Sequence, residues 1–245
     1  MLSLPKLDIQ RSEPREVEIF LKMREWLERG NESRAEGIHA SDLLDVRLAY
    51  FNKLFPQPLS EKLTYFFAIG KVLHALLLQA WDTAHDEFAT DGGTSEVEQI
   101  LYSPDWRRDD GCPIELKSNR AMREPAQDKL QEEISSYIEQ LVTYAVLDGK
   151  RQGELWILYL NMLDKSNRTF PTIRCYTITL TEQHYHMIRK EVLACRDKLV
   201  WALEHQDPSD LQICRRWKCG KDTCAHWNVC RPPGRFGLLK RDWKV

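Results

Sequence analysis

The sequence predicts an α/β fold, a mixed sheet flanked by helices, with a Cys-rich metal module at the C-terminus. Three observations point to it. Helical periodicity dominates up to about residue 88; apolar runs bounded by turn residues alternate with helical stretches after Asp91-Gly92-Gly93; and Cys214, Cys219, Cys224 and Cys230 crowd together near the end. With 245 residues, 42% hydrophobic and 29% charged, the chain can bury one substantial core.

Residues 14–30 carry Ile19, Phe20, Met23, Trp26 and Leu27 at helical spacing, with Gly30 as a stop. A second helix is expected from Ser41, whose hydroxyl suits an N-cap, until FPQPLS breaks it. Residues 61–88, containing YFFAIGKVLHALLLQAW, read as a long, largely buried helix. SEVEQILYS reads as a strand, PDWRRDDG as a turn and CPIELKS as the return strand of a hairpin. A helix over 125–148 places Leu130, Ile134, Ile138, Leu141 and Ala145 on one face and closes at Gly149. GELWILYLNM is apolar on both faces, as a central strand is. RCYTITL is a further strand, and Thr181 opens a helix to about His205.

Charge is uneven along the chain. The net charge is -2, but Cys214 to Val245 holds nine Lys or Arg against Asp222 and Asp242, so the rest of the chain sums to -9. Basic residues interleaved with Trp217, Trp227, Phe236 and Trp243 suit phosphates and bases, although a solvated basic tail has the same composition. The start lacks a signal-peptide pattern, and no run approaches the roughly 18 apolar residues of a membrane span, so a cytoplasmic protein without a membrane partner is expected. Clustered cysteines in an odd total of seven suggest metal ligation over disulfides. Four thiolates suit a 4Fe-4S cluster or tetrahedral zinc, with His226 a possible substitute ligand; the spacing lacks paired C-x2-C knuckles. Cys112, Cys175 and Cys195 read as core residues.

Glu115-Leu116-Lys117 lies on a predicted strand, where alternation sends a carboxylate and an ammonium to one face. Such a pair can ligate a hard cation and help activate water or stabilise a phosphate. Alone, E-x-K is common in exposed strands. Gly70 and His74 lie one helical turn apart, as do Gln140 and Tyr144.

Taken in order, these motifs resemble the RecB-like nucleases of the PD-(D/E)XK superfamily, and most closely their CRISPR-associated exonucleases with a C-terminal cysteine cluster. The resemblance spans about residues 39 to 230. It implies a restriction-endonuclease-like core at 39–212, after an N-terminal helical segment at 1–38 and before a Cys-rich basic module at 213–245. It also implies His74, Asp105 and Glu115 as ligands of Mg2+ or Mn2+, Lys117 as the catalytic lysine, Gln140 and Tyr144 positioning DNA or supporting the site, and Cys214, Cys219, Cys224 and Cys230 holding a 4Fe-4S cluster, with structural Zn2+ the alternative. The implied activity is exonucleolytic hydrolysis of single-stranded DNA, with partners in CRISPR adaptation or recombination and repair.

Two departures stand out. The position where the first-strand aspartate is expected holds Leu101; Asp105 is the nearest replacement and would face Glu115 if the hairpin turns at Asp109-Asp110-Gly111. If Leu101 fills the ligand position instead, a catalytically degenerate DNA-binding subunit results. The helix after HASDLL, where the family carries one cysteine, has Asp45 and Val46.

Overall fold

The computed structural model describes residues 6–18, 37–56, 70, 72–74, 76, 95–121, 123–163, 168–214, 224–227 and 229–230. Seven strands are found there: β1 (Asp8–Arg11), β2 (Ser95–Val97), β3 (Ile100–Tyr102), β4 (Trp106–Arg107), β5 (Pro113–Asn119), β6 (Gln152–Leu163) and β7 (Thr169–Thr179). The helices are α1 (Val46–Leu54), α2 (Ser135–Leu147) and α3 (Glu182–His205). A 3-10 turn over Ala40–Asp45 leads into α1, and a short helical turn over Leu130–Glu133 precedes α2. Residues 13–18 and the described residues between 70 and 76 are also helical.

Five strands form one sheet in the order β1-β7-β6-β5-β4. Only the β5–β6 pair is parallel, and α2 makes its crossover. The sheet is therefore mixed and flanked by helices. β6 is buried on both faces, as its unbroken apolar run requires. On one face Leu155, Ile157, Tyr159, Tyr176 and Ile178 meet Ile138 and Leu141 of α2 and Ile188, Val192 and Leu199 of α3. Leu141 of α2 comes so close to β6 that a Cβ at Gly153 would lie 2.8 Å from Leu141 Cδ1. On the other face Trp106, Ile114, Leu116, Trp156, Leu158, Ile173 and Cys175 form a second core, with Leu73 against it.

Several expectations change. SEVEQILYS is two short strands, β2 and β3, which pair with each other around Glu98 and Gln99 at φ 53° and 60°. The partner of CPIELKS is instead the two-residue β4. The second helix begins as a 3-10 turn whose Asp42 carboxylate accepts from His39 N (3.0 Å), so the entry is capped from Asp42 and not by Ser41. The first 38 residues, read as helical, include strand β1 on the edge of the sheet. The 61–88 helix falls largely outside the described residues. Thr181 does cap α3, its hydroxyl accepting from His184 N (3.2 Å). No described helix is long and apolar enough to cross a membrane.

Candidate active site

The site is built by the β4–β5 turn. Gly111 adopts φ +76°, Arg108 N donates to Cys112 O (2.9 Å), and the Asp110 carboxylate accepts from Cys112 N (2.9 Å). Trp106 therefore pairs with Ile114, and one step further along the same register Asp105 stands opposite Glu115. Leu116 N donates to Asp105 Oδ2 (2.7 Å), which fixes that carboxylate beside the β5 backbone. Leu101, in contrast, lies on β3 in the separate hairpin, bridged to His39 and packed against Gly37.

His74 Nδ1 lies 3.3 Å from Asp105 Oδ1, and Lys117 is ion-paired with Glu115 Oε1. His74, Asp105, Glu115 and Lys117 thus form one cluster of facing charged side chains. Glu115 is 1% exposed, and its Oε2 is buried without a hydrogen-bond partner among the described residues. Burial, reinforced by the charge of Asp105, pushes the Glu115 carboxyl up to about 7. Burial also disfavours charge on Asp105, but His74 and Lys117 outweigh it and hold Asp105 below its ordinary value. Burial works against the charged forms of His74 and Lys117 too; the facing carboxylates, Asp105 first for His74 and Glu115 first for Lys117, raise both.

Two carboxylates with one oxygen orphaned in the interior suit a hard divalent cation, which would satisfy Glu115 Oε2. Among the described residues, however, no three His, Cys, Asp or Glu side chains converge as a metal-holding group. Asp105 and Glu115 are therefore the pair that would hold an ion, with His74 Nδ1 turned to Asp105.

Gln140 Nε2 donates to the Tyr144 hydroxyl (2.7 Å), and Tyr144 stacks on Tyr102 with centroids 6.3 Å apart. Tyr137 of α2, one turn before Gln140, adds a small contribution favouring the charged form of Lys117. Sequence reasoning missed it, although 137, 140 and 144 fall on one helical face. It also missed Glu124, whose carboxylate accepts from Arg174 Nε (2.7 Å) and the Tyr176 hydroxyl (2.6 Å).

Cys214, Cys224 and Cys230 are described and none forms a disulfide; Cys219 lies outside the described residues. Arg47 Nε donates to Cys230 Sγ (3.1 Å), and its NH1 donates to the carbonyls of Pro208 (2.6 Å) and Leu211 (3.3 Å). Burial pushes the Cys224 thiol up, with Cys230 adding to it. His226 is 1% exposed, its Nε2 is 2.7 Å from Asn52 Oδ1, and its buried Nδ1 has no partner among the described residues. Among the described residues, these side chains do not form a group of three or more that could hold a metal ion. Cys112 and Cys175 are buried core residues, and Cys195 is half-buried.

No family model matches the chain, and no curated protein matches it. Among solved structures the chain is similar to a phage-related exonuclease from Haemophilus somnus 129PT, at 13% identity and TM-score 0.47, over 71% of this chain and 98% of that one. It is also similar to an alkaline exonuclease from Laribacter hongkongensis, at 17% identity and TM-score 0.39, over 69% and 91% of the two chains. That enzyme's complex with dAMP gives 18% identity and TM-score 0.40. Likeness at these scores leaves the site geometry as the ground for a functional reading.

Proposed function

We propose that this protein is a divalent-metal-dependent nuclease that hydrolyses DNA phosphodiester bonds. The observation that carries the reading is the convergence of Asp105, Glu115, Lys117 and His74, with a buried Glu115 oxygen that has no donor among the described residues. Asp105 and Glu115 would hold Mg2+ or Mn2+, which when bound polarises the phosphate and acidifies water. His74 orients Asp105 through their 3.3 Å contact, and Leu116 N fixes the other oxygen of the same carboxylate. Lys117, held charged between two carboxylates, stabilises negative charge as it grows on the attacked phosphate. Gln140 and Tyr144, bonded to each other on α2, would position DNA or support the site, as the resemblance implies. The resemblance of the motif order to RecB-like nucleases supports single-stranded DNA as substrate, an exonucleolytic mode, and a role in CRISPR adaptation or recombination. The same resemblance supports a cysteine-ligated cluster at Cys214, Cys219, Cys224 and Cys230.

The test is release of labelled nucleotides from single-stranded DNA with and without Mn2+ or Mg2+. Wild type is expected to cleave only with the cation. Lys117→Ala and Asp105→Asn should each lower the rate about 10²–10³-fold while DNA binding persists. Cleavage in EDTA, or full activity in both variants, overturns the reading. A wild type that binds DNA and never cleaves it identifies a degenerate binding subunit.

A further inference from the structure

The segment between β5 and the Leu130–Glu133 turn leaves the candidate site directly after Lys117, and its described residues are tied to the sheet at Glu124 and Gln127. At its start Asn119 Oδ1 accepts from Ala121 N (2.8 Å). In its middle Glu124 spends both carboxylate oxygens, one on Arg174 Nε (2.7 Å) and one on the Tyr176 hydroxyl (2.6 Å). Toward its end Gln127 Nε2 donates to Ile9 O (3.1 Å), and Leu130 is 1% exposed. These anchors join the segment to β1 and β7, on the far side of β6 from the site.

The anchor and the site lie on one face of the sheet. Lys117 pairs with Ile157, and Ile157 pairs with Arg174, so Lys117 and Arg174 occupy one row two strands apart, about 10 Å by ordinary strand spacing. Ile157, fully buried, fills the row between them, so the anchor and the site are joined through the packed sheet. The pinned segment carries Arg120 and Arg123 outward, both exposed.

We propose that residues 119–121 and 123–129 form a fixed rail for the phosphodiester backbone of a nucleic-acid strand entering the site, with Arg123 contacting phosphate and Glu124 as the positioning residue. The proposal rests on the nuclease reading. A cation held on an already ordered segment binds phosphate without the ordering cost that a floppy loop incurs. Glu124 does not repel the strand, because both its oxygens are neutralised by donors and its side chain is only 25% exposed.

The experiment measures the affinity of Lys117→Ala protein for a fluorescein-labelled single-stranded oligonucleotide across a salt series without divalent cation. Adding Arg123→Ala should weaken binding several-fold and flatten the log Kd against log salt slope by about 0.7, one phosphate contact on a single strand. Adding Glu124→Ala should also weaken binding although it deletes a negative charge, and Glu124→Gln should recover part of the loss. Tighter binding by Glu124→Ala overturns the positioning role, since bare electrostatics predicts that result. An unchanged slope in Arg123→Ala or Arg123→Glu, surface changes that spare the core, overturns the rail while the nuclease reading stands. No binding by Lys117→Ala at any salt overturns both.

Discussion

Glu115 is a carboxylate placed where its charge is costly. Burial pushes its carboxyl up to about 7 in the folded protein, above the ordinary value of about 4.5 that the unfolded chain keeps. Between those values the folded state binds a proton that the unfolded state has released, so metal-free stability falls as pH rises through that window. Compared with Glu115→Gln in EDTA, wild type should lose thermal stability from about pH 4.5 to about pH 7, whereas Mn2+ should stabilise wild type more at pH 8 than at pH 5. Melting curves at each pH decide it; parallel curves for the two proteins would remove the buried-charge account. E-x-K could be read from alternation along a strand, because period-two geometry is local. Asp105 could only be narrowed to a condition on the turn, since its place opposite Glu115 depends on how many residues Arg108 to Gly111 consume. Tyr137 and Glu124 stayed hidden because their partners, Lys117, Arg174 and Tyr176, are distant in sequence.

At the level of elements, the apolar run of β6, the α2 face and the Thr181 cap were legible from periodicity and capping chemistry. The β2–β3 hairpin was not. Its turn uses Glu98 and Gln99 at positive φ, where Asn and Gly are the usual signals, so nothing marked the reversal. Contacts from α3 support this turn: Arg196 NH1 donates to Glu98 O, and Arg189 NH2 lies 3.3 Å from Glu98 Oε1. The α2–β6 contact makes a sharper claim. A methyl at Gly153 would meet Leu141 Cδ1 at 2.8 Å and Cγ at 2.9 Å, and Leu141 is fully buried. Gly153→Ala should therefore cost about 1–3 kcal/mol by urea denaturation, through displacement of Leu141. A neutral result would show that α2 can slide on the sheet.

Across the whole molecule, the C-terminal segment is fastened to α1 by a buried cation. Arg47 is 4% exposed, lies 6.0 Å from the Phe51 ring centroid, and donates to Cys230 Sγ and to the carbonyls of Pro208 and Leu211. His226 adds a contact to Asn52 and stacks on Phe51 at 5.9 Å. Sequence reading found the cysteines but not this clasp, because Arg47 looked like one more polar residue on a helix. Arg47→Met should leave buried carbonyls without donors, cost about 1–3 kcal/mol, and open the chain to limited proteolysis after Gln206, where the helix ends in left-handed geometry. Mass spectrometry of the fragments reads the outcome; wild-type resistance would mean that other contacts hold the segment.

The order of the sheet also bears on how copies of this chain avoid one another. One edge is β4, two residues long, and the other is β1, four residues that cover part of the eleven-residue β7. β1 pairs with Tyr176 to Thr179, so the Thr169–Arg174 stretch extends past it. Pro171 falls in that stretch and has no N–H to offer a neighbouring strand. Pro171 and the brevity of β4 act as gatekeepers against polymerisation through backbone pairing, leaving β1 to shield the remainder of β7.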